Sequence, residues 1–245
     1  MAKKSSSRTI RKKKNWYKII APKIFSESEI GETMALAPED LVGRTVKSSL
    51  TNFTRNMKKQ SITLSLKVNE IKDNKAMTQI QSYMTSPSAV KRLVRRRRDK
   101  VEDSIVAKTK DSKLVRVKPM VLTRANASNP VLTDIRHVTR YLLITELAKM
   151  TYGEFIEKVL NDKFVKNLKK TINAVYPVKM VNIRAFKLEE NAKTKLTSMT
   201  KRDKEVFNAV SKKPSLSEKP EVKKDVSPAQ KTEEKSVEKS SEKSE

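Results

Sequence analysis

Polar and apolar residues alternate most cleanly where Ile62, Leu64, Leu66 and Val68 interleave with Thr63, Ser65 and Lys67. That is the period of a strand buried on one face. Asp73, Asn74 and Lys75 supply turn chemistry leading into a return strand over 76–84. Val115, Val117 and Val121 mark another alternating run, preceded by an apolar stretch at 104–109 and a turn at 110–113. Stretches 45–53 and 178–188 bring the expectation to about six strands.

Three helices are expected among them. Ser86 and Pro87 supply a cap and a first-turn proline for a helix running to about Arg98. Asn129 and Pro130 do the same for a longer helix whose Ile135, Val138 and Leu142 share a face. Thr151 and Glu154 form a capping box opening a third helix to about Thr171, with Phe155, Val159 and Leu168 at helical spacing. The expected fold is α+β: a β-rich, barrel-like core with three packed helices.

The apolar pattern also sets the boundaries. Residues 1–15 hold seven basic residues and no acid, too little apolar surface to fold alone, and read as a disordered basic arm. Residues 16–190 carry the core. Residues 191–245 read as a Lys/Glu/Ser-rich linker and disordered tail, with Pro214, Pro220 and Pro228.

Charge sharpens this picture. The chain carries 55 Lys and Arg against 28 Asp and Glu, a net +27, yet 211–245 sets 9 Lys against 8 acids. The imbalance therefore falls on the arm and core, which repel themselves unless a polyanion neutralises them. Nucleic acid fits, because each phosphate neutralised releases a condensed counterion. Plotted as a helix, 91–100 sets Lys91, Arg92, Arg95, Arg96 and Arg98 opposite Ala89, Val90, Leu93 and Val94. Arg97 falls on the apolar side, so either the helix ends near it or Arg97 is buried. No acid lies between Lys91 and Arg98, so the block cannot pair within itself, and arginine forks suit phosphate. The candidate RNA-binding residues are Arg11, Lys12, Lys13 and Lys14 of the arm, Arg44, and Lys91, Arg92, Arg95, Arg96, Arg98 and Lys100. The outer lysines of the third helix, Lys158, Lys166, Lys169 and Lys170, are further candidates for RNA or a neighbouring protein. Trp16 and Tyr17 could stack on bases, but beside Ile19, Ile20, Ile24 and Phe25 they read as core.

Other chemistry finds little support. No cysteine and one histidine, His137, rule out a His/Cys metal site, and His137 reads as a charged surface or RNA contact. Three glycines leave no phosphate-cradling loop. Glu27, Glu29 and Glu32 read as a solvated acidic turn. No catalytic residue, cofactor, small-molecule substrate or membrane partner is expected.

WYKIIAPKIF at 16–25, IGET at 30–33 and LVGRTVKSSL at 41–50 resemble the S-three-Ae (eS-one) family of small-subunit ribosomal proteins, in its archaeal form. The segment 151–177 ending INAVYP, and the run 181–188, match as well. Lys47 stands where the family commonly has Glu, and Asn52–Phe53 where it has Asp-Leu. The resemblance implies a structural, non-enzymatic, cytoplasmic protein on the platform of the small ribosomal subunit. It would bind small-subunit rRNA, neighbouring ribosomal proteins and mRNA near the exit. The rival expectation is a free RNA chaperone or assembly factor with transient binding.

Overall fold

The computed structural model describes residues 13–189 and 195–211. Its architecture is α+β, with nine strands in one sheet where about six were expected. The strands are β1 (Asn15–Ile20), β2 (Glu29–Ala35), β3 (Thr45–Ser49), β4 (Ile62–Lys72), β5 (Lys75–Thr85), β6 (Lys100–Glu102), β7 (Ile105–Lys108), β8 (Leu114–Thr123) and β9 (Val178–Glu189). The helices are α1 (Leu50–Thr54), α2 (Pro87–Leu93), α3 (Asn129–Lys149), α4 (Tyr152–Leu160), α5 (Lys163–Asn173) and α6 (Lys201–Ser211).

The expected hairpin is the β4–β5 ladder, turning at Asp73 and Asn74, both at positive φ. Strand β5 organises the rest. One edge carries β4, while the other is shared: β1 runs parallel to it at Lys75–Met77 and β9 antiparallel at Ser82–Met84. The handover follows from Thr78, whose hydroxyl donates to the Ile20 carbonyl at 2.7 Å where β1 leaves. Strand β9 then pairs along β8, whose far edge takes both β6 and β7. Those two share one register but break at Asp103 and Ser104, opposite Lys118 and Pro119. A proline has no N–H for the ladder, so the pairing gap falls beside it. The sheet stays open rather than closing as a barrel: β3 ends it on one side, β6 and β7 on another.

Several boundaries differ from those expected. The stretch 45–53 switches from strand to helix because the Ser49 hydroxyl caps Thr51 N–H, opening α1. Ser128, not Asn129, takes the N-cap position of α3. The capping box forms as expected, with Thr151 and Glu154 bonded reciprocally. The helix it opens ends at Leu160, because Asp162 takes a left-handed φ of 57°, and α5 starts afresh. Lys59 secures that break, ion-paired to Asp162 at 3.1 Å and bonded to the Leu160 carbonyl.

Helix α3 lies against β6 and β7, and α5 against β9. Between helices and sheet, Leu64, Leu66, Ile80, Val117, Ile183 and Phe186 meet Leu143, Phe155, Leu168 and Ile172 in the main core. The Tyr152 hydroxyl donates to the Ile80 carbonyl at 2.8 Å, tying the start of α4 to β5. A smaller cluster of Tyr17, Ala35 and Leu41 closes beneath the β1–β2 hairpin.

Helix α6 lies beyond residue 190, where the sequence ended its core. It packs on α3 through a stack of Tyr141 on Phe207, ring centres 4.3 Å apart, with Val210 buried. His137 is turned inward to Asp203, Nδ1 to Oδ1 at 2.5 Å, so the histidine is an internal partner and not an exposed RNA contact. Asp203 is fully buried. Burial works to raise its carboxyl, but Thr200 N–H, His137, the Thr200 hydroxyl and Arg140 together hold it below its ordinary value. A depressed folded value means the stabilisation is complete above the unfolded aspartate range and is lost as pH falls through the folded value. Asp203→Ala is expected to release α6, raising amide exchange across 201–211 about 5- to 150-fold at neutral pH, for a missing buried bond of about 1–3 kcal/mol. Exchange that accelerates equally in β4 and β5 would contradict a local latch.

Candidate nucleic-acid interface

Helix α2 stops at Leu93, short of the expected Arg98. Val94 is already extended, and Arg97 sits at a φ of 61°. Like charges three and four residues apart, Lys91 with Arg95, Arg92 with Arg96 and Arg95 with Arg98, oppose a helix, and the arginines from Arg95 on lie outside it. Arg95 and Arg96 are exposed in the turn, as is Arg97, which settles its place on the apolar side of the helical plot. Arg98 is half-buried, and one of its guanidinium nitrogens is buried without a hydrogen-bond partner.

The turn is pinned by Asp99. Its backbone N–H donates to the Thr123 hydroxyl at 2.8 Å, its carbonyl accepts Thr123 N–H at 3.0 Å, and its carboxylate accepts Ala127 N–H at 2.7 Å. The one acid next to the arginines is thus engaged with backbone. The anchored turn lies within electrostatic reach of Lys179 at the start of β9. Slight desolvation, then the positive fields of Arg98 and Arg95, push the Lys179 ammonium below its ordinary value. Nothing in the sequence pattern marked Lys179, which is simply one outward position of a strand. Lys169 of α5 donates to the Lys179 carbonyl at 3.0 Å and adds a further cation.

Beside this cluster runs an open groove of about 810 Å³. Lys58, Gln60, Ser61, Thr63, Arg92 and Asn182 line it with polar groups, and no acid lines it. Lys91 and Arg92 are exposed on the adjoining helix. The surface is dense in donors, cationic and concave, suited to phosphate oxygens along a backbone. Among the described residues no His, Cys, Asp and Glu group is arranged to hold a metal.

The remaining candidates lie elsewhere. Lys100 is ion-paired to Glu102 at 3.3 Å, and Glu102 also takes Arg184 at 3.3 Å, so the Lys100 charge is answered inside the protein. Lys13 and Lys14 are exposed just before β1, while Arg11 and Lys12 lie outside the described residues. Arg44 donates to the Thr33 hydroxyl at 2.6 Å and the Met34 carbonyl at 3.2 Å, along the edge of β2. Strand β5 separates this second basic region from the first. Its 11 residues span about 35 Å, with β1 at one end and α2 following the other.

The pairing of an acid-free cationic groove with a second basic site finds its context in comparison. Residues 2–192 match the sequence model of the Ribosomal S3Ae family. The chain belongs to that family. Its archaeal character shows in the relatives. A protein of Nanoarchaeum equitans named small ribosomal subunit protein eS1 is 34% identical over 182 residues, covering 74% of this chain and 92% of the relative. Proteins of the same name from Methanothrix thermoacetophila and Methanobrevibacter smithii are each 31% identical. They cover 75% of this chain, with 88% and 96% of the respective relative. The family match ends at residue 192, so α6 lies beyond it.

Proposed function

We propose that the protein is a structural constituent of the small ribosomal subunit, bound to small-subunit rRNA on the platform near the mRNA exit and working in the cytoplasm. The observation that supports this reading is the groove beside α2, lined by Lys58 and Arg92 with no acid among its lining residues, next to the turn that carries Arg95, Arg96 and Arg98. Family membership supplies the assembly, and the groove supplies the means of holding its RNA. Phosphate contacts of this kind position a protein without reading sequence, so specificity comes from the shape of the folded rRNA. The sheet holds the two basic regions apart, so that an RNA must meet both at a set spacing. Exposed Lys166 and Lys170 on α5 offer further contacts to RNA or to neighbouring ribosomal proteins, and mRNA leaving the subunit is a further contact.

The test is sedimentation of the tagged chain with native ribosomal particles through a high-salt gradient. Retention in the small-subunit peak at one copy per particle is the expected result. Release into the free-protein fraction would replace this reading with a transient RNA chaperone or assembly factor.

A further inference from the structure

Trp16 is 60% exposed, against 4% for Tyr17 beside it. Successive strand residues face opposite sides, so β1 buries the tyrosine and presents the tryptophan. The expected core role therefore falls to Tyr17 alone. Across the ladder, Trp16 stands opposite Met34. The Met34 carbonyl is taken by Arg44, so it faces away from β1. In an antiparallel ladder this makes Trp16 and Met34 a non-hydrogen-bonded pair, the kind whose side chains lie closest. Met34 is 46% exposed and Leu36, two residues on, 47%. A large ring is thus held out beside two apolar neighbours.

The charge leading into the strand is basic, while acids follow on the partner side: Glu32 opposite Lys18, and Glu39 and Asp40 in the turn after Leu36. Nine Lys and Arg residues precede or flank β1 before Glu27, the first acid in the chain. Lys13 and Lys14 sit immediately before the strand, and Arg44 at its partner's edge. The nearest acids in register, Glu29 and Glu32, lie at the Lys18 end of the ladder, and Glu29 is ion-paired with Lys18 at 3.1 Å.

We propose that Trp16 is a stacking platform for one unpaired base of single-stranded RNA, with Lys13, Lys14 and Arg44 holding the flanking phosphates. The inference rests on the RNA-binding reading above and adds a second kind of contact to it. An aromatic face accepts any base, because every base has a π-face. A protein partner offering only an apolar side chain would leave Lys14 and Arg44 desolvated without a counter-charge. An unpaired nucleotide brings a flat ring and an anionic backbone together, which is the combination of groups displayed here.

Trp16 is the only tryptophan, so the emission of the full-length protein reports on it directly. The protein is titrated with end-labelled oligoadenylate and with a long RNA duplex at low salt, following label anisotropy for binding and tryptophan emission for stacking. Single-stranded RNA is expected to quench the emission in step with binding, and the duplex to bind with little quenching. Trp16→Ala is expected to weaken oligoadenylate binding about 5- to 150-fold, and Trp16→Phe to restore most of it. Saturating anisotropy with unchanged emission would overturn the stacking proposal while leaving RNA binding intact. So would an emission change produced by ribosomal proteins stripped of RNA, which would assign the ring to a protein neighbour. Absence of any anisotropy rise would overturn the RNA reading itself.

Discussion

Replacing Arg95, Arg96 and Arg98 with Glu is expected to weaken binding to small-subunit rRNA by roughly a thousandfold at low salt. In the turn after α2, Arg95 and Arg96 are exposed and Arg98 is half-buried beside them. A hydrogen bond to a charged group contributes about 1.5–3 kcal/mol, so three at the low end give about three powers of ten. The salt dependence carries the mechanism. For every phosphate that the variant no longer neutralises, the log–log slope is expected to flatten by roughly 0.7 to 0.9, or about two or more in total for the triple variant. Filter binding across a salt series reads both numbers. Arg95→Glu with Arg96→Glu alone touches only exposed side chains and is expected to move the slope in the same direction. A folded variant with an unchanged slope would remove this turn from the interface.

The largest effect on stability is expected at Phe155, which is fully buried at the meeting of α4, α5 and β9. Its ring stands edge-on to Phe164 at 5.6 Å and to Phe186 at 5.3 Å, and Phe186 in turn stacks on Tyr83 at 5.1 Å. Truncation to alanine removes the ring from the middle of this aromatic chain and leaves a cavity that strands and helices on several sides cannot all close. The expected cost is about 3–5 kcal/mol, a large share of the roughly 5–15 kcal/mol typical of a folded domain. Urea unfolding of the full chain should show a lowered midpoint with an unchanged slope. A shift under about 1 kcal/mol would mean that the α4–α5 layer adds little to the stability of the sheet.

The parts of this fold visible in the sequence are those where one physical signal dominates. Strands β4 and β5 alternate cleanly because one face is buried, and their turn residues take the positive φ that Asp and Asn tolerate. The capping box at Thr151 was equally plain. Strand β2 was hidden because it is an edge strand, and Glu29, Gly31 and Glu32 resemble a loop while serving as the charged margin that edges favour. Helix α6 was hidden because its apolar contribution is three residues, Val206, Phe207 and Val210, in a stretch otherwise rich in charge. Its docking depends on His137 and Tyr141 of α3, some 60 residues earlier, and no local pattern announces a pairing of that span. The basic block at 91–98 was legible as chemistry but not as geometry. The left-handed Arg97 and the anchoring of Asp99 decide where the arginines point, and both depend on β8.

The shared edge of β5 has a consequence for how the chain is made. Half of that edge is closed by β1, already synthesised when β5 appears, but the other half waits for β9, about 100 residues later. Until those residues leave the ribosome making them, the hairpin of β4 and β5 carries open backbone donors and acceptors at Ser82–Met84, and α5 lacks the strand it packs against. Chain elongation at about 5–20 residues per second makes that interval several seconds long. Nascent chains stalled before residue 178 should therefore remain protease-sensitive and prone to self-association, and those stalled well past 189 should not. The last strand is the keystone of the sheet in time as well as in space.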